Sequence, residues 1–115
     1  LCAYDWELAT VQAPQHDLAE LLVFTLNPDF DPQLVEALIE RHRVQLEQAA
    51  GVTLDAAQWR YGFTLTLWDL VVNRVPMYVM AHTFRHYPFM ERVVRTFRRL
   101  LDLEIQRLEN GDQSL

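Results

Sequence analysis

Leu1-Cys2-Ala3-Tyr4-Asp5-Trp6-Glu7-Leu8-Ala9-Thr10, running on through Pro14 to His16-Asp17-Leu18-Ala19, decides how the rest of the chain is read. The apolar run at residues 1–4 suits a short buried strand, and it delivers an acid, Asp5, where the chain turns into a polar loop. Ligands are commonly met at the carboxyl ends of such strands. Asp17 then opens an apolar helical pattern, so two carboxylates flank one loop, with a strand before it and a helix after it. Mg²⁺ suits a site of this kind, because it takes one or two carboxylates and leaves its other positions to water and phosphate oxygens.

Asp5-Trp6-Glu7-Leu8-Ala9-Thr10, with Pro14 and Asp17-Leu18-Ala19 behind it, resembles the metal-binding segment of the aminoglycoside-phosphotransferase-like kinases. The nearest flavour is the branch fused to acyl-CoA dehydrogenases, in which an Asp-Trp-Glu motif precedes a Gly-x-Pro turn and an Asp-Leu-Ala helix. Here Gln12 stands in place of the glycine. The resemblance implies that Asp5 is the Mg²⁺ ligand, equivalent in role to the Asp of the protein-kinase Asp-Phe-Gly, with Asp17 and Glu7 as supporting acids. It also implies a fold: the mainly α, C-terminal helical subdomain of a protein-kinase-like enzyme, its strand at residues 1–5 paired to one that precedes Leu1.

At 115 residues the chain can bury one core but is too short for a two-lobed kinase. Half of it is hydrophobic and only three glycines interrupt it, which favours a helical body. Net charge is −6 and all ten basic residues are arginine, a balance that argues against a general nucleic-acid partner. The lone Cys2 excludes an internal disulfide and a cysteine-based zinc site, and a cytoplasmic setting is expected. No membrane partner is expected, since the longest apolar region, residues 63–81, contains Asp69, Asn73, Arg74 and Pro76. Beginning inside a predicted strand and without an initiator Met, the chain reads as a piece whose remaining kinase parts lie upstream or on a separate chain. Self-association into a homo-oligomer is left open.

The pattern predicts four helices after the strand. The first covers about residues 17–25 with Asp17 as N-cap. Asp31-Pro32 opens a second, whose apolar face of Val35, Leu38, Ile39, Leu46 and Ala49 runs to Gly51 and whose other face, with Glu36, Glu40, Arg43 and Glu47, reads as solvated. Asp55-Ala56-Ala57-Gln58 is a capping box for a third that continues through Leu67, Leu70 and Tyr78, kinked at Pro76. Tyr87, held out of the α region by Pro88, separates it from a fourth that carries Met90, Val94, Phe97, Leu101, Ile105 and Leu108 on one stripe.

Each site residue has a plainer reading beside the functional one. Asp5 and Glu7 are also ordinary loop acids, and N-capping alone accounts for Asp17. Thr66, Asp69 and Asn73 form a polar strip that either braces a neighbouring segment or faces a pocket; Asp69, Asn73, Trp68 and Tyr78 are the candidates for an acceptor pocket, although aromatics at helical spacing are more often core. His82 and His86 share the i, i+4 spacing of zinc ligands without a third ligand in sight. His16 is able to hydrogen-bond the loop acids, and His42 reads as a buried imidazole. Arg92, Arg95, Arg98 and Arg99 offer a phosphate site or, with Glu91 and Asp102 interleaved, a solvated face.

The expectation is therefore part of an ATP- and Mg²⁺-dependent phosphotransferase acting on a small-molecule hydroxyl acceptor. With no lysine, no phosphate-cradling glycine loop and no His-x-Asp-x₄-Asn segment, the chain by itself should not turn over ATP. The competing expectation is a non-catalytic helical binding or regulatory module.

Overall fold

A computed structural model describes residues 13–111. The chain is mainly helical: α1 (Gln15–Thr25), α2 (Pro32–Ala50), α3 (Ala56–Asn73), α4 (Val75–Phe84) and α5 (Met90–Glu109). There is no strand among the described residues, and the strand expected at residues 1–5, with Asp5 and Glu7, lies outside them. None of the described helices is long and apolar enough to cross a membrane.

α1 and α3 pack together at the centre, with α2 and α5 on either flank and α4 continuing from α3. The core runs through all but α4: Ala19, Leu22 and Val23 from α1, Val35 and Ile39 from α2, Trp59, Phe63, Leu67 and Leu70 from α3, and Met90, Val93, Phe97 and Leu100 from α5. Phe63, Leu67 and Leu70 are among the largest fully buried side chains, as the expected central role of the helix after Asp55 requires.

α2 is bounded by its own sequence. Asp31 accepts a hydrogen bond from the Gln33 amide at 2.9 Å, Pro32 takes the first helical position, and Gly51 closes the helix at φ 68°, a left-handed conformation that costs glycine nothing. The exposed charges of α2 do more than solvate it. Arg43 bonds Glu40 and the Leu54 carbonyl (2.7 Å), while the Leu54 amide donates to Glu47 (2.8 Å), so the turn after α2 is tied back to the helix.

Three boundaries differ from those the pattern predicts. Pro14 itself has helical dihedrals (φ −58°, ψ −29°), so α1 begins at Gln15 and Asp17 falls in its first turn, capping nothing. Its charge still favours that end of the helix through the backbone dipole. The long kinked helix is two: Pro76 has no amide to offer and its ring clashes with the preceding turn, so α3 ends at Asn73 and Pro76 is used within the first two positions of α4.

On α5 the buried stripe is Met90, Val93, Phe97 and Leu100, continued by Glu104, whereas Val94 and Ile105 are exposed. The predicted stripe shares Met90 and Phe97 with the buried one, has Leu101 partly buried against the core, and is turned to the surface at Val94 and Ile105. What sets the rotation is α5's hold on the link between α1 and α2. Arg92 donates to the carbonyls of Phe24 and Leu26 (both 3.0 Å), Thr96 to Leu26 (2.8 Å), and Arg99 to Pro28 (2.7 Å) and Phe30, with its guanidinium 4.3 Å from the Phe30 ring centroid. Two of the four arginines read as a phosphate site or solvated face are thus engaged by backbone oxygens.

Candidate functional site

α1 starts at Gln15, and its first turn is fixed against α3 by two buried side chains. Gln15 donates to the Trp59 carbonyl at 3.3 Å. That approach needs Gly62, because a Cβ there would come within 2.5 Å of the Gln15 amide nitrogen. His16, 5% exposed, has its Nε2 3.3 Å from Asp69 Oδ2 and its Nδ1 3.8 Å from Glu20.

Around His16 the polar groups form one chain. Asn73 donates to Asp69 Oδ1 at 2.6 Å, so two elements of the predicted polar strip orient the carboxylate that faces His16. The third, Thr66, turns its hydroxyl to the Phe63 carbonyl (2.7 Å). On the other side of the imidazole Glu20 accepts from the Tyr78 hydroxyl at 2.9 Å and lies 3.7 Å from Arg74. The strip therefore braces α1, and Asp69 keeps half of its side chain open to solvent. That open half borders a cleft of about 280 Å³ with Ala13, Gln15, His16, Leu65 and Thr66.

The four acceptor-pocket candidates are divided by this arrangement. Asp69 lines the cleft at the head of α1, bonded to Asn73. Trp68 lines a different, apolar cleft on the far side, bordered also by Val71 and Val79. Tyr78 belongs to both regions: its ring meets Phe24 edge-on at 5.2 Å and lines the apolar cleft, while its hydroxyl reaches Glu20. Asp17 is exposed, its amide donating to the Pro14 carbonyl at 3.3 Å and its carboxylate without a hydrogen bond or ion pair among the described residues, and Asp5 and Glu7 lie outside them.

Burial and the bond to Glu20 push the Tyr78 phenol up to about 12. Because the folded value lies above the unfolded one of about 10, the stabilisation from this hydroxyl is complete below that pH and disappears as pH rises toward the folded value. In a spectrophotometric titration one tyrosine should ionise well after the others, and Tyr78→Phe should remove that late component; a single shared midpoint in the parent protein would refute the assignment.

His82 and His86 meet with their ring centroids 4.6 Å apart and their planes tilted by 50°, and His82 Nδ1 accepts the Tyr87 amide at 3.2 Å, which ties the chain between α4 and α5. Among the described residues no three His, Cys, Asp or Glu side chains gather as a metal site. His42 is half-buried and packs edge-on to Trp59 at 5.3 Å, with its Nδ1 unbonded.

A second polar cluster escaped the sequence reading. Glu104, 4% exposed, accepts from Thr64 (2.7 Å) and from both terminal nitrogens of Arg60, which also reaches Glu36 at 2.8 Å, and Arg107 lies 3.6 Å away. A charged residue that continues the 90, 93, 97, 100 spacing was the available signal, since a carboxylate at a core position must find cations. Compared with family models, curated proteins and solved structures, the chain matches none.

Proposed function

We propose that the chain is the helical, acceptor-side part of an ATP- and Mg²⁺-dependent phosphotransferase of the aminoglycoside-phosphotransferase-like kind, acting on a small-molecule hydroxyl. The observation that carries the reading is the head of α1. The Asp-Trp-Glu motif comes in the sequence shortly before a first turn that is anchored by Gln15 and His16 and in which Asp17 is exposed and serves as no cap. A free carboxylate there is a hard oxygen donor, which fits Mg²⁺.

In this reading Asp5 holds the metal with Asp17 and Glu7 supporting it, and the bound ion would neutralise charge on the transferring phosphoryl group. The half-open Asp69, oriented by Asn73 and flanked by His16, offers hydrogen bonds to an acceptor hydroxyl in the cleft. The proton of that hydroxyl passes to an aspartate of the catalytic loop, which belongs to the remainder of the enzyme, as do the lysine and glycine loop that hold ATP.

The test is calorimetric titration of Mg²⁺ and nucleotide into the protein joined to its upstream segment. Asp5→Ala should weaken Mg²⁺-dependent nucleotide binding by at least about tenfold, on the scale set by mutations around metal ligands. Equal binding by parent and variant would sink the proposal. Asp17→Ala should weaken it less and, with no cap to lose, should melt within about 0.5 kcal/mol of the parent. A loss near 1 kcal/mol, the usual cost of a missing N-cap, would return Asp17 to the capping role.

The open apolar cleft between α5 and α3 favours a second reading, a helical binding module without catalysis. An upstream sequence lacking a His-x-Asp-x₄-Asn segment and a lysine-bearing strand would put that reading ahead.

A further inference from the structure

α5 carries two apolar stripes, and only one of them enters the core. The other, with Val94 and Ile105 exposed and Leu101 partly buried at the core's edge, borders an open cleft of about 270 Å³ whose opposite wall is Trp68, Val75 and Val79 of α3 and α4. Val94, Ile105, Trp68 and Val79 are all exposed. A contiguous apolar surface of this kind marks an interaction site more often than isolated exposed residues do.

Among the described residues the lining contains two charges, Arg98 and Asp102, one helical turn apart on α5. Both are exposed, and neither side chain makes a hydrogen bond or ion pair among the described residues. Their order matters. In a two-fold interface every contact occurs twice with the roles exchanged, so the surface must complement itself. If two α5 helices pack antiparallel, Arg98 faces Asp102 of the second copy and Asp102 faces its Arg98. The same register brings Val94 against Ile105 of the second copy at both ends of the contact and leaves Leu101 beside the axis. A parallel pairing would set like charge against like.

We propose that this face joins two copies of the chain, α5 against α5 about a two-fold axis, with the cleft wall of α3 and α4 covering the outer sides of the seam. A helix of 20 residues provides roughly 30 Å of contact length, enough for the whole stripe. Charge complementarity selects a second copy over other occupants: an apolar small molecule would leave Asp102 unpaired at the rim, and an unrelated protein would give the Arg98 and Asp102 order no reason to be self-complementary. The proposal is independent of phosphotransfer.

Sedimentation equilibrium of the chain and of two charge-reversal variants tests it. The parent should sediment at twice its 13.6 kDa. Arg98→Glu and Asp102→Arg, each alone, should raise the dissociation constant by at least about tenfold, because each sets like charges face to face. Mixed in equal amounts, the two variants should recover parental affinity, since the first presents two acids to the two arginines of the second. Both positions are exposed, so melting temperatures measured in dilute solution, where parent and variants are all monomers, should coincide. A parent that sediments as a monomer, single reversals that leave the dimer intact, or a mixture that stays monomeric would each overturn the interface.

Discussion

Glu104→Ala should lower stability by about 3–5 kcal/mol, the range for breaking a buried ion pair from one side. The loss comes mainly from what remains. Arg60, whose side chain is 12% exposed, would keep only the exposed Glu36 as a carboxylate partner, and the buried Thr64 hydroxyl would be left with the longer bond to the Arg60 carbonyl at 3.4 Å. Glu104→Gln should fall between parent and alanine variant, because an amide oxygen can still accept from Thr64 but carries no charge. Replacing Glu104 and Arg60 together by leucine should recover much of the loss, since a well-packed apolar pair needs no compensation. Urea unfolding with fitted slopes measures all three. A change below about 1 kcal/mol in Glu104→Ala would mean that water reaches the cluster.

Leu67→Ala should cost about 2–5 kcal/mol, the usual span for truncating a core leucine. Leu67 is completely buried in the middle of α3, where α1 packs on one side and α2 contributes on another. Dense surroundings limit collapse into the space left behind, so most of the cavity should persist. Val72→Ala on the same helix provides the contrast: at 71% exposure it should change stability by less than about 0.5 kcal/mol. Thermal melts of the two variants that coincide would place Leu67 outside the core.

Where the determinants are local, the sequence reading and the fold agree. Asp31, Pro32 and Gly51 bound α2 through contacts of one to four residues, and each residue type has one conformational preference to express. Pro14 defeats the same reasoning at α1 because its own dihedrals are already helical, which moves the helix start ahead of the aspartate. Pro76 signalled a disturbance, but whether a proline bends a helix or divides it depends on what its neighbours pack against. The face of α5 was the least legible feature. Its two stripes share Met90 and Phe97, and the choice rests on carbonyl groups of a link that is distant in the chain.

The candidate site follows the same division. Asp69 and Asn73 stood out as a polar strip because their neighbours are apolar, yet the group they brace, His16, is on another helix and no spacing rule connects them. Gln15 and Gly62 carried no signal at all, since their significance lies in the side chain of one helix lying against the backbone of another. The acids of the Asp-Trp-Glu motif were legible only through resemblance, and Asp5 and Glu7 lie outside the described residues.

The grip of α5 on the link between α1 and α2 also orders events in time. Arg92, Thr96 and Arg99 find their carbonyl partners 66 to 71 positions earlier in the chain. Synthesis proceeds from the N-terminus at roughly 5–20 residues per second, so α1 and α2 are made several seconds before the side chains that fix the angle between them. Until then the carbonyl oxygens of Phe24, Leu26, Pro28 and Phe30 lack these partners, and only the packing of α1 and α2 on α3 limits how far the link can pivot. Removing the last helix would thus do more than shorten the protein: it would leave a hinge near its beginning, with amides of that link exchanging hydrogen as though the segment had never folded.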